Sequence, residues 1–364
     1  MEVLGMTPGF WRGKRVFLTG HTGFKGGWLA IWLQSLGAQV HGYALDPATE
    51  PNLFTLARIG ERMARHTIAD IRDADTLTQA MHAAKPEIVF HLAAQALVRT
   101  SYREPVATFA TNIMGTAHVL EALRGIDSIQ AAVMVTTDKV YRGNAAQQPY
   151  REDDPLGGHD PYSASKAACE IVIDSYRQAF LAAQGIALAS ARAGNVIGGG
   201  DWSADRLIPD AVRAWQDHRP LEIRRPDAIR PWQHVLEPLA GYLQLAEKLC
   251  RQPALAGAYN FGPAPHEAAP VREVIERART AYGTGDVHFG DGSAGPFEAA
   301  WLALDNARAQ TLLEVKPRWT LDEAITRTMH WYRDQHAGAD ARALCEAEIT
   351  AYTQNIAVSP APTF

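Results

Sequence analysis

The sequence predicts a doubly wound α/β fold, in which a mainly parallel sheet carries helices on both faces. Three observations predict it. Short apolar runs alternate with longer stretches of helical periodicity. A glycine-rich segment, residues 20–26, directly follows the first apolar run. The composition then changes after Asn195 to glycine, proline and polar residues, which indicates a second, smaller lobe.

The first elements follow in order from these patterns. Arg15–Thr19 (RVFLT) is predicted as the first strand, and Gln39–Ala44 (QVHGYA) as the second. The helix between them carries apolar residues at helical spacing, and Gly37 is well placed to end it. Further strands are predicted at residues 87–92 (EIVFHL), 131–136 (AAVMVT), 187–191 (ALASA) and 258–261 (AYNF).

The segment at residues 20–26 (GHTGFKG) has the form of a dinucleotide-binding turn. Its glycines stand at positions i, i+3 and i+6, between the first strand and the first helix. Residues without a Cβ let the backbone approach a pyrophosphate, and the helix N-terminus offers N–H groups to it. A structural glycine turn is the alternative. The cofactor-binding candidates here are Gly20, His21, Gly23, Phe24, Lys25 and Gly26, with His21 and Lys25 expected to add basic groups near the pyrophosphate.

Acidic residues after the next strands are candidates for the adenosine part of a cofactor. Asp46 follows the second strand, where a carboxylate accepts bonds from a ribose and repels a 2′-phosphate, which favours NAD over NADP. A solvated turn residue is the alternative. Asp70 and Ile71 are placed to frame an adenine ring, although an ordinary helix cap explains Asp70 equally well.

The predicted organisation has three parts. Residues 1–194 form a Rossmann-type NAD-binding domain, with one strand returning to it near residues 257–262. Residues 195–335 form most of a substrate-binding lobe, and residues 336–364 form a C-terminal helix and tail. In open α/β sheets, ligands bind where such a lobe meets the carboxyl edge of the strands.

Composition restricts the class of protein. The 35 basic and 40 acidic side chains give a formal net charge of −5, which does not favour a nucleic-acid partner or a basic membrane face. The three cysteines match no CxxC pattern, and the histidines form no HExxH motif, so no metal site is predicted. With neither a secretory signal nor a membrane-spanning stretch expected, the prediction is a cytoplasmic protein.

Tyr162 and Lys166 form the single YxxxK motif in the chain. On a helix they lie one turn apart on the same side. A free tyrosine, with a pKa of about 10, is a poor base at neutral pH. An ammonium group and the positive nicotinamide would favour its phenolate. Tyr162 is therefore a candidate base for a sugar hydroxyl.

Thr137, Asp138 and Lys139 follow a predicted strand, at the edge where open sheets carry out chemistry. Thr137 is a candidate for binding a substrate hydroxyl, and Asp138 for a general acid. Lys139 is a candidate base or a group that stabilises an enolate. An exposed loop ion pair is the alternative interpretation of Asp138 and Lys139.

These motifs together resemble the extended short-chain dehydrogenase/reductase superfamily and its NAD-dependent sugar-nucleotide epimerases and dehydratases. The resemblance rests on residues 20–26, Asp70 and Ile71, residues 91–94 (HLAA, which include the cofactor candidate Ala93), the YxxxK motif and Asn195. It narrows to the CDP-glucose 4,6-dehydratases through residues 10–15 (FWRGKR), 42–46 (GYALD), 136–141 (TTDKVY) and 230–238 (RPWQHVLEP), and it covers residues 9 to 335.

The resemblance implies a reaction on CDP-glucose. NAD takes a hydride from C4, with Tyr162 as the base and Lys166 orienting the groups. Water is then lost across C5–C6, and the hydride returns to C6. Relatives that act on dTDP-glucose carry Asp-Glu where this chain has Asp138 and Lys139, so the identity of the C5 base stays open between Lys139 and another group.

The resemblance also implies substrate-binding residues and an assembly. Asn195 and Arg230 match positions that contact the nucleotide diphosphate, with Arg206 as a further candidate and a surface arginine as the alternative for Arg230. The usual dimer packs the Tyr162 helix and residues 105–123 into a four-helix bundle. Two other functions remain open: a sugar-nucleotide 4-epimerase, and a non-catalytic nucleotide-binding protein on the same fold.

Overall fold

The structure, a computed structural model, describes residues 7, 9–143, 148–264, 267–291 and 302–354. The strands of this part of the chain are β1 Arg15–Thr19, β2 Gln39–Ala44, β3 Arg65–Ile68, β4 Ile88–His91, β5 Ala131–Val135, β6 Ala187–Ala193, β7 Val196–Ile197, β8 Leu221–Ile223, β9 Ile229–Arg230, β10 Gln233–His234, β11 Gly257–Phe261, β12 Ala269–Pro270 and β13 Val287–Phe289.

The helices alternate with the strands of the sheet through most of the chain. They are α1 Phe24–Ser35, α2 Leu53–Leu56, α3 Ala74–Ala84, α4 Val98–Arg103, α5 Pro105–Phe109, α6 Gly115–Leu123, α7 Pro161–Tyr176, α8 Leu207–Gln216, α9 Leu236–Arg251, α10 Val271–Tyr282, α11 Leu321–His336 and α12 Ala341–Gln354. A π-helical turn at Ala110–Met114 joins α5 to α6, and another at Arg177–Leu181 prolongs α7.

Seven strands form one parallel sheet in the order β11-β6-β5-β4-β1-β2-β3. The order reverses between β1 and β4, because β2 and β3 lie on one side of β1 while β4, β5 and β6 lie on the other. Crossovers to opposite faces leave a crevice at such a point, at the carboxyl ends of the strands. This architecture confirms the predicted doubly wound α/β fold.

The two faces of the sheet bury different side chains, because successive residues of a strand point in opposite directions. In β1, Val16 and Leu18 enter the larger apolar core, together with buried residues of α1, α9 and α11. Phe17 points to the other face and joins the core formed with α3, α6 and α7. Both faces of the sheet are therefore covered, as a parallel sheet requires.

Strand β3 was not predicted. Its four residues, RHTI, are mostly exposed at the edge of the sheet, so they carry neither an apolar run nor a clear alternation. The strands that were predicted are all present. The bounds of β1 and β2 are as predicted, and those of the others differ by one or two residues at an end; β6, for example, extends to Ala193.

Three small pairs of strands lie outside the main sheet: β7 with β10, β8 with β13, and β9 with β12. Helices α8 and α10 pack beside them. Residues 195–335 also contain α9, which packs on β5 and β6, and β11, which extends the main sheet. The division into domains at residue 195 therefore stays a prediction.

The C-terminal helix is well anchored. Helix α12 packs on α1, and its Cys345 and Tyr352 are buried. The expected tail after this helix, residues 355–364, lies outside the described residues. Within the described residues, no helix is long and apolar enough to cross a membrane, and no cluster of three or more His, Cys, Asp or Glu side chains is suited to a metal ion.

Candidate active site

The glycine turn between β1 and α1 is built for close backbone contact. Gly20 has a φ of +80°, and a Cβ there would lie 2.7 Å from the backbone nitrogen of Ala93. A Cβ on Gly26 would lie 2.1 Å from the carbonyl oxygen of Gly20. Gly23 precedes α1 and provides no side-chain cap for the first N–H groups of the helix. This turn fits a dinucleotide pyrophosphate.

The His21 side chain does not lie where a basic group for the pyrophosphate would be needed. It is fully buried, in ring contact with Phe54 and His66, and a Cβ on Gly42 would lie 2.6 Å from its Nδ1. Burial, aided by His66, lowers the pKa of His21 to about 4. The expectation of a cationic His21 in the phosphate turn is therefore wrong, and only its backbone remains a candidate.

Lys25 extends toward the catalytic candidates. Its Nζ lies 5.8 Å from the ring centre of Tyr242. Burial, followed by the charges of Arg206 and Lys166, lowers the pKa of Lys25 to about 7, while Asp138 opposes this shift. The charge of Lys25 thus acts on the catalytic candidates, and its place beside the pyrophosphate stays a prediction. Phe24 packs near Gly198, whose Cβ would lie 3.2 Å from the Phe24 ring.

The adenosine candidates lie on the other side of β1. Asp46 is exposed, two residues beyond the end of β2. Asp70 binds the Arg72 side chain at 2.6 Å, and this arginine lowers the pKa of Asp70. Asp73, not Asp70, caps α3, so the helix-cap alternative is wrong. Ile71 is buried against Gly115.

Helix α7 presents Tyr162 and Lys166 on one side. Asp160 caps the helix by accepting the Ser163 N–H at 2.9 Å. Lys166 is buried, and its Nζ donates to the carbonyl oxygen of Val135 at 3.1 Å. Burial lowers the pKa of Lys166 and raises the pKa of Tyr162 to about 12; a hydrogen bond with Thr137 opposes the shift of Tyr162.

The segment after β5 lies against this pair. The Thr137 hydroxyl donates to Asp138 Oδ1 at 3.0 Å, and Asp138 is 2% exposed. Asp138 Oδ2 is buried without a hydrogen-bond partner among the described residues. Burial raises the pKa of Asp138, and the charges of Lys139, Arg230 and Lys25 oppose this. An exposed loop pair is therefore the wrong interpretation of Asp138.

The substrate-binding candidates surround the same crevice. Arg230 is buried, so the surface alternative is wrong, and its charge acts on Asp138. Arg206 precedes α8, is one-third exposed, and acts on Tyr162 and Lys25. Asn195 is half-buried, and its carbonyl oxygen accepts the Gln233 N–H at 3.2 Å.

The fold thus brings Lys25, Arg206 and Arg230 to Tyr162, Lys166 and the segment at residues 137–139. It places Asp46, Asp70 and Ile71 across β1, at the end of the crevice where an adenosine would lie. Two buried charged residues behind the site, Glu170 and Arg192, were not predicted. The sequence features that could have indicated them are a glutamate four residues after Lys166 and an arginine inside the apolar strand β6.

Comparison with known proteins agrees with this geometry. The sequence model of the GDP-mannose 4,6 dehydratase family matches residues 17–328. A CDP-glucose 4,6-dehydratase from Salmonella typhimurium is 46% identical over 349 residues, which cover 94% of this chain and 97% of that protein.

Two solved structures share the fold. A dTDP-glucose 4,6-dehydratase from Bacillus anthracis in complex with NAD is 20% identical, with a TM-score of 0.74 over 90% of this chain and 98% of its own. A UDP-glucose 4-epimerase from Thermotoga maritima with UDP-glucose is 20% identical, with a TM-score of 0.75 over 88% of this chain and 99% of its own. From the match over residues 17–328 and the 46% identity to a full-length relative, we conclude that the chain belongs to the GDP-mannose 4,6 dehydratase family of sugar-nucleotide dehydratases.

Proposed function

We propose that this protein is an NAD-dependent hydro-lyase that converts CDP-glucose to CDP-4-dehydro-6-deoxyglucose. The observation that carries the proposal is a second acid–base set beside the Tyr162–Lys166 pair, formed by the buried Asp138 and the half-buried Lys139. Oxidation at a sugar carbon needs one such set, whereas elimination of water needs another. The nucleotide follows the Salmonella typhimurium relative, which is a CDP-glucose 4,6-dehydratase.

The cofactor assigned by this proposal is NAD. When bound, it would supply the acceptor for a hydride from C4 of the sugar and the donor of that hydride to C6. Gly20, Gly23 and Gly26 would give its pyrophosphate access to the backbone, and the N–H groups of Phe24 and Lys25, at the start of α1, would bind it. Asp46, Asp70, Ile71 and Ala93 are assigned to its adenosine side, on the strand ends nearest β2 and β3.

Tyr162 is assigned as the base that takes the C4 hydroxyl proton as the hydride leaves. Burial is the largest of the causes that raise its pKa to about 12, so the phenolate must be stabilised by nearby positive charge. Lys166, one turn along α7, provides part of that charge. Thr137, whose side chain lies within hydrogen-bonding reach of the tyrosine oxygen, is assigned to bind the sugar hydroxyl.

Asp138 is assigned as the acid of the elimination. Once C4 is a ketone, loss of the C5 proton and departure of the C6 hydroxyl as water form the C5–C6 double bond. Burial raises the pKa of Asp138, which keeps a proton available for the leaving hydroxyl. Lys139 either takes the C5 proton or stabilises the enolate. Asn195, Arg206 and Arg230 are assigned to the substrate, with the two arginines facing its diphosphate.

Product analysis tests this function. The protein is incubated with the CDP, dTDP, UDP and GDP forms of glucose, and the products are identified by mass and NMR. The proposal expects a 6-deoxy-4-keto sugar that is 18 Da lighter from CDP-glucose, by loss of one water. An isomer of unchanged mass would show the 4-epimerase alternative. Recovery of unchanged substrate would show a protein that only binds nucleotides.

We also propose a homodimer or higher homo-oligomer acting in the cytoplasm. The helices expected at the interface expose large apolar side chains: Val106 is 79% exposed, Met114 51% and Ile171 63%. Large apolar side chains exposed on elements expected to meet a partner are what an interface between subunits requires. Sedimentation at increasing protein concentration measures the assembly, and Ile171→Glu is expected to shift it to monomer.

A further inference from the structure

An ion pair is buried directly behind the active site, between α7 and β6. Glu170 Oε2 lies 2.8 Å from Arg192 Nη2, and the two side chains are 3% and 4% exposed. A buried pair costs free energy to desolvate and is weak evidence for stability. The role of this ion pair is therefore inferred from the residues that its two side chains contact.

Glu170 is held by two hydroxyl groups, one in β6 and one directly after β5. Its Oε1 accepts a hydrogen bond from Thr136 Oγ at 2.5 Å, and its Oε2 accepts one from Ser190 Oγ at 2.7 Å in addition to the arginine. Thr136 is the residue directly after β5, so Glu170 fixes the start of the segment that carries Thr137, Asp138 and Lys139.

Arg192 fixes the end of the same segment. Its Nη1 donates to the Tyr141 hydroxyl at 2.9 Å, and its guanidinium lies 5.1 Å from the centre of the Tyr141 ring. The Tyr141 hydroxyl in turn donates to Asn260 Oδ1 at 2.6 Å. One ion pair thus holds the side chains of residues 136 and 141, whose backbones bond to Ala191 and Leu156, and the acid–base residues lie between them.

The same pair links this segment to the helix that carries the oxidation groups. Tyr162, Lys166 and Glu170 are spaced four residues apart, so they follow one another along one side of α7. The positions of Tyr162 and Lys166 depend on this regular, capped helix. The single turn at Asp138–Val140 has few local bonds and depends on its anchors.

We propose that Glu170 and Arg192 are positioning residues that align Asp138 and Lys139 with the sugar held at Tyr162. Their loss uncouples elimination of water from oxidation at C4. This inference rests on the proposed function. A shift of about 1 Å in a catalytic group costs on the order of 10²-fold in rate. Loss of the pair should let the segment after β5 shift by such a distance, whereas the residues of α7 should keep their positions.

The test compares two variants in single turnovers of the NAD-loaded protein with CDP-glucose. Glu170→Gln removes the charge, and Thr136→Val removes only the hydroxyl anchor and keeps the shape. Formation of reduced cofactor measures oxidation, and release of 6-deoxy sugar measures elimination. We expect oxidation within a few-fold of the parent and elimination slower by about 10²-fold in Glu170→Gln and about 10-fold in Thr136→Val. Reduced cofactor and a 4-keto-hexose should accumulate.

Glu348→Gln is the matched control. It breaks the pair between Arg327 and Glu348, in which the two side chains are 8% and 19% exposed, between α11 and α12. It should lower the melting temperature without changing the ratio of the two steps.

The proposal is overturned if Glu170→Gln and Thr136→Val slow both steps equally, in proportion to their loss of stability, as the control does. If Glu170→Gln does not fold, Thr136→Val alone decides. If the parent protein forms no 6-deoxy sugar, the proposed function fails and the variants are then compared on oxidation alone, where equal rates would leave the pair without a role in this site.

Discussion

Helix α7 and the segment after β5 carry the two halves of the proposed reaction, but they are held in place by different means. Tyr162 and Lys166 lie one turn apart on a helix that Asp160 caps and Pro161 begins. Asp138 lies in a single turn, where its neighbours are fixed by side chains of other elements. Local hydrogen bonds thus determine one half of the site, whereas tertiary contacts determine the other. Mutations should therefore separate the two halves.

The largest expected effect is at Tyr162. Tyr162→Phe removes the phenolic oxygen with little change in volume and should lower turnover by about 10²–10⁴-fold, the usual contribution of one acid–base group. Neither half of the reaction should proceed, because elimination requires the 4-keto group. Steady-state rates and NAD titration measure this, with NAD affinity expected to be nearly unchanged.

Tyr259→Phe is the control for this prediction. It deletes a buried tyrosine hydroxyl that donates to the carbonyl oxygen of Leu255, away from the site. Turnover of Tyr162→Phe within a few-fold of the parent would refute the assignment of the base and, with it, the contrast between the two regions.

The next effect is confined to elimination. Asp138→Asn cannot donate a carboxyl proton, and Lys139→Met loses its charge, so each should slow release of 6-deoxy sugar by about 10²-fold. Both variants should still oxidise C4 and accumulate reduced cofactor. In solvent deuterium, slow exchange at C5 in Lys139→Met but not in Asp138→Asn would assign the base to Lys139.

Suppose that both variants release 6-deoxy sugar at the rate of the parent protein and accumulate no reduced cofactor. This result would show that Asp138 and Lys139 do not act in elimination. The two regions would then not divide the reaction, and the epimerase alternative would regain support.

The rates of oxidation and of elimination should change with pH in opposite directions. Tyr162 acts as a base, and burial raises its pKa to about 12, so oxidation should accelerate as the pH rises toward that value. Asp138 acts as an acid whose pKa burial also raises, so elimination should slow as the pH rises through that raised pKa. Single turnovers followed over a range of pH measure both rates. In Asp138→Asn, the rate of elimination should no longer fall at high pH. If the rates of oxidation and elimination in the parent protein changed with pH in parallel, this would argue against dividing the reaction between the two regions.

The smallest effect lies outside both regions, at Asp46. Asp46→Ala removes a negative charge that would repel a 2′-phosphate, so the ratio of NADP to NAD affinity should rise by about 10-fold. Turnover with NAD should change little. Asp153→Ala, at an acidic side chain that is 79% exposed, is the control. Equal affinity of the parent protein for NADP and NAD would show that Asp46 does not discriminate between them.

The sequence alone determined the features that depend on local spacing. The glycines at positions 20, 23 and 26 predicted the turn between β1 and α1, and the spacing of Tyr162 and Lys166 predicted their common side of α7. The apolar runs predicted six of the seven strands of the main sheet, because a strand buried on both faces leaves a clear pattern. Strand β3 was not predicted, because an exposed edge strand buries too little surface to require apolar residues.

Only the tertiary structure decided which way the polar side chains face and which partners they meet. His21 lies in the glycine turn between β1 and α1, yet Phe54 and the glycine at position 42 create the space that buries its ring. Glu170 and Arg192 pair across 22 residues of chain, on a helix and a strand whose separate patterns do not reveal the contact. The physical reason is that spacing along one element orders its own side chains, whereas burial, charge and pKa depend on every element packed around them.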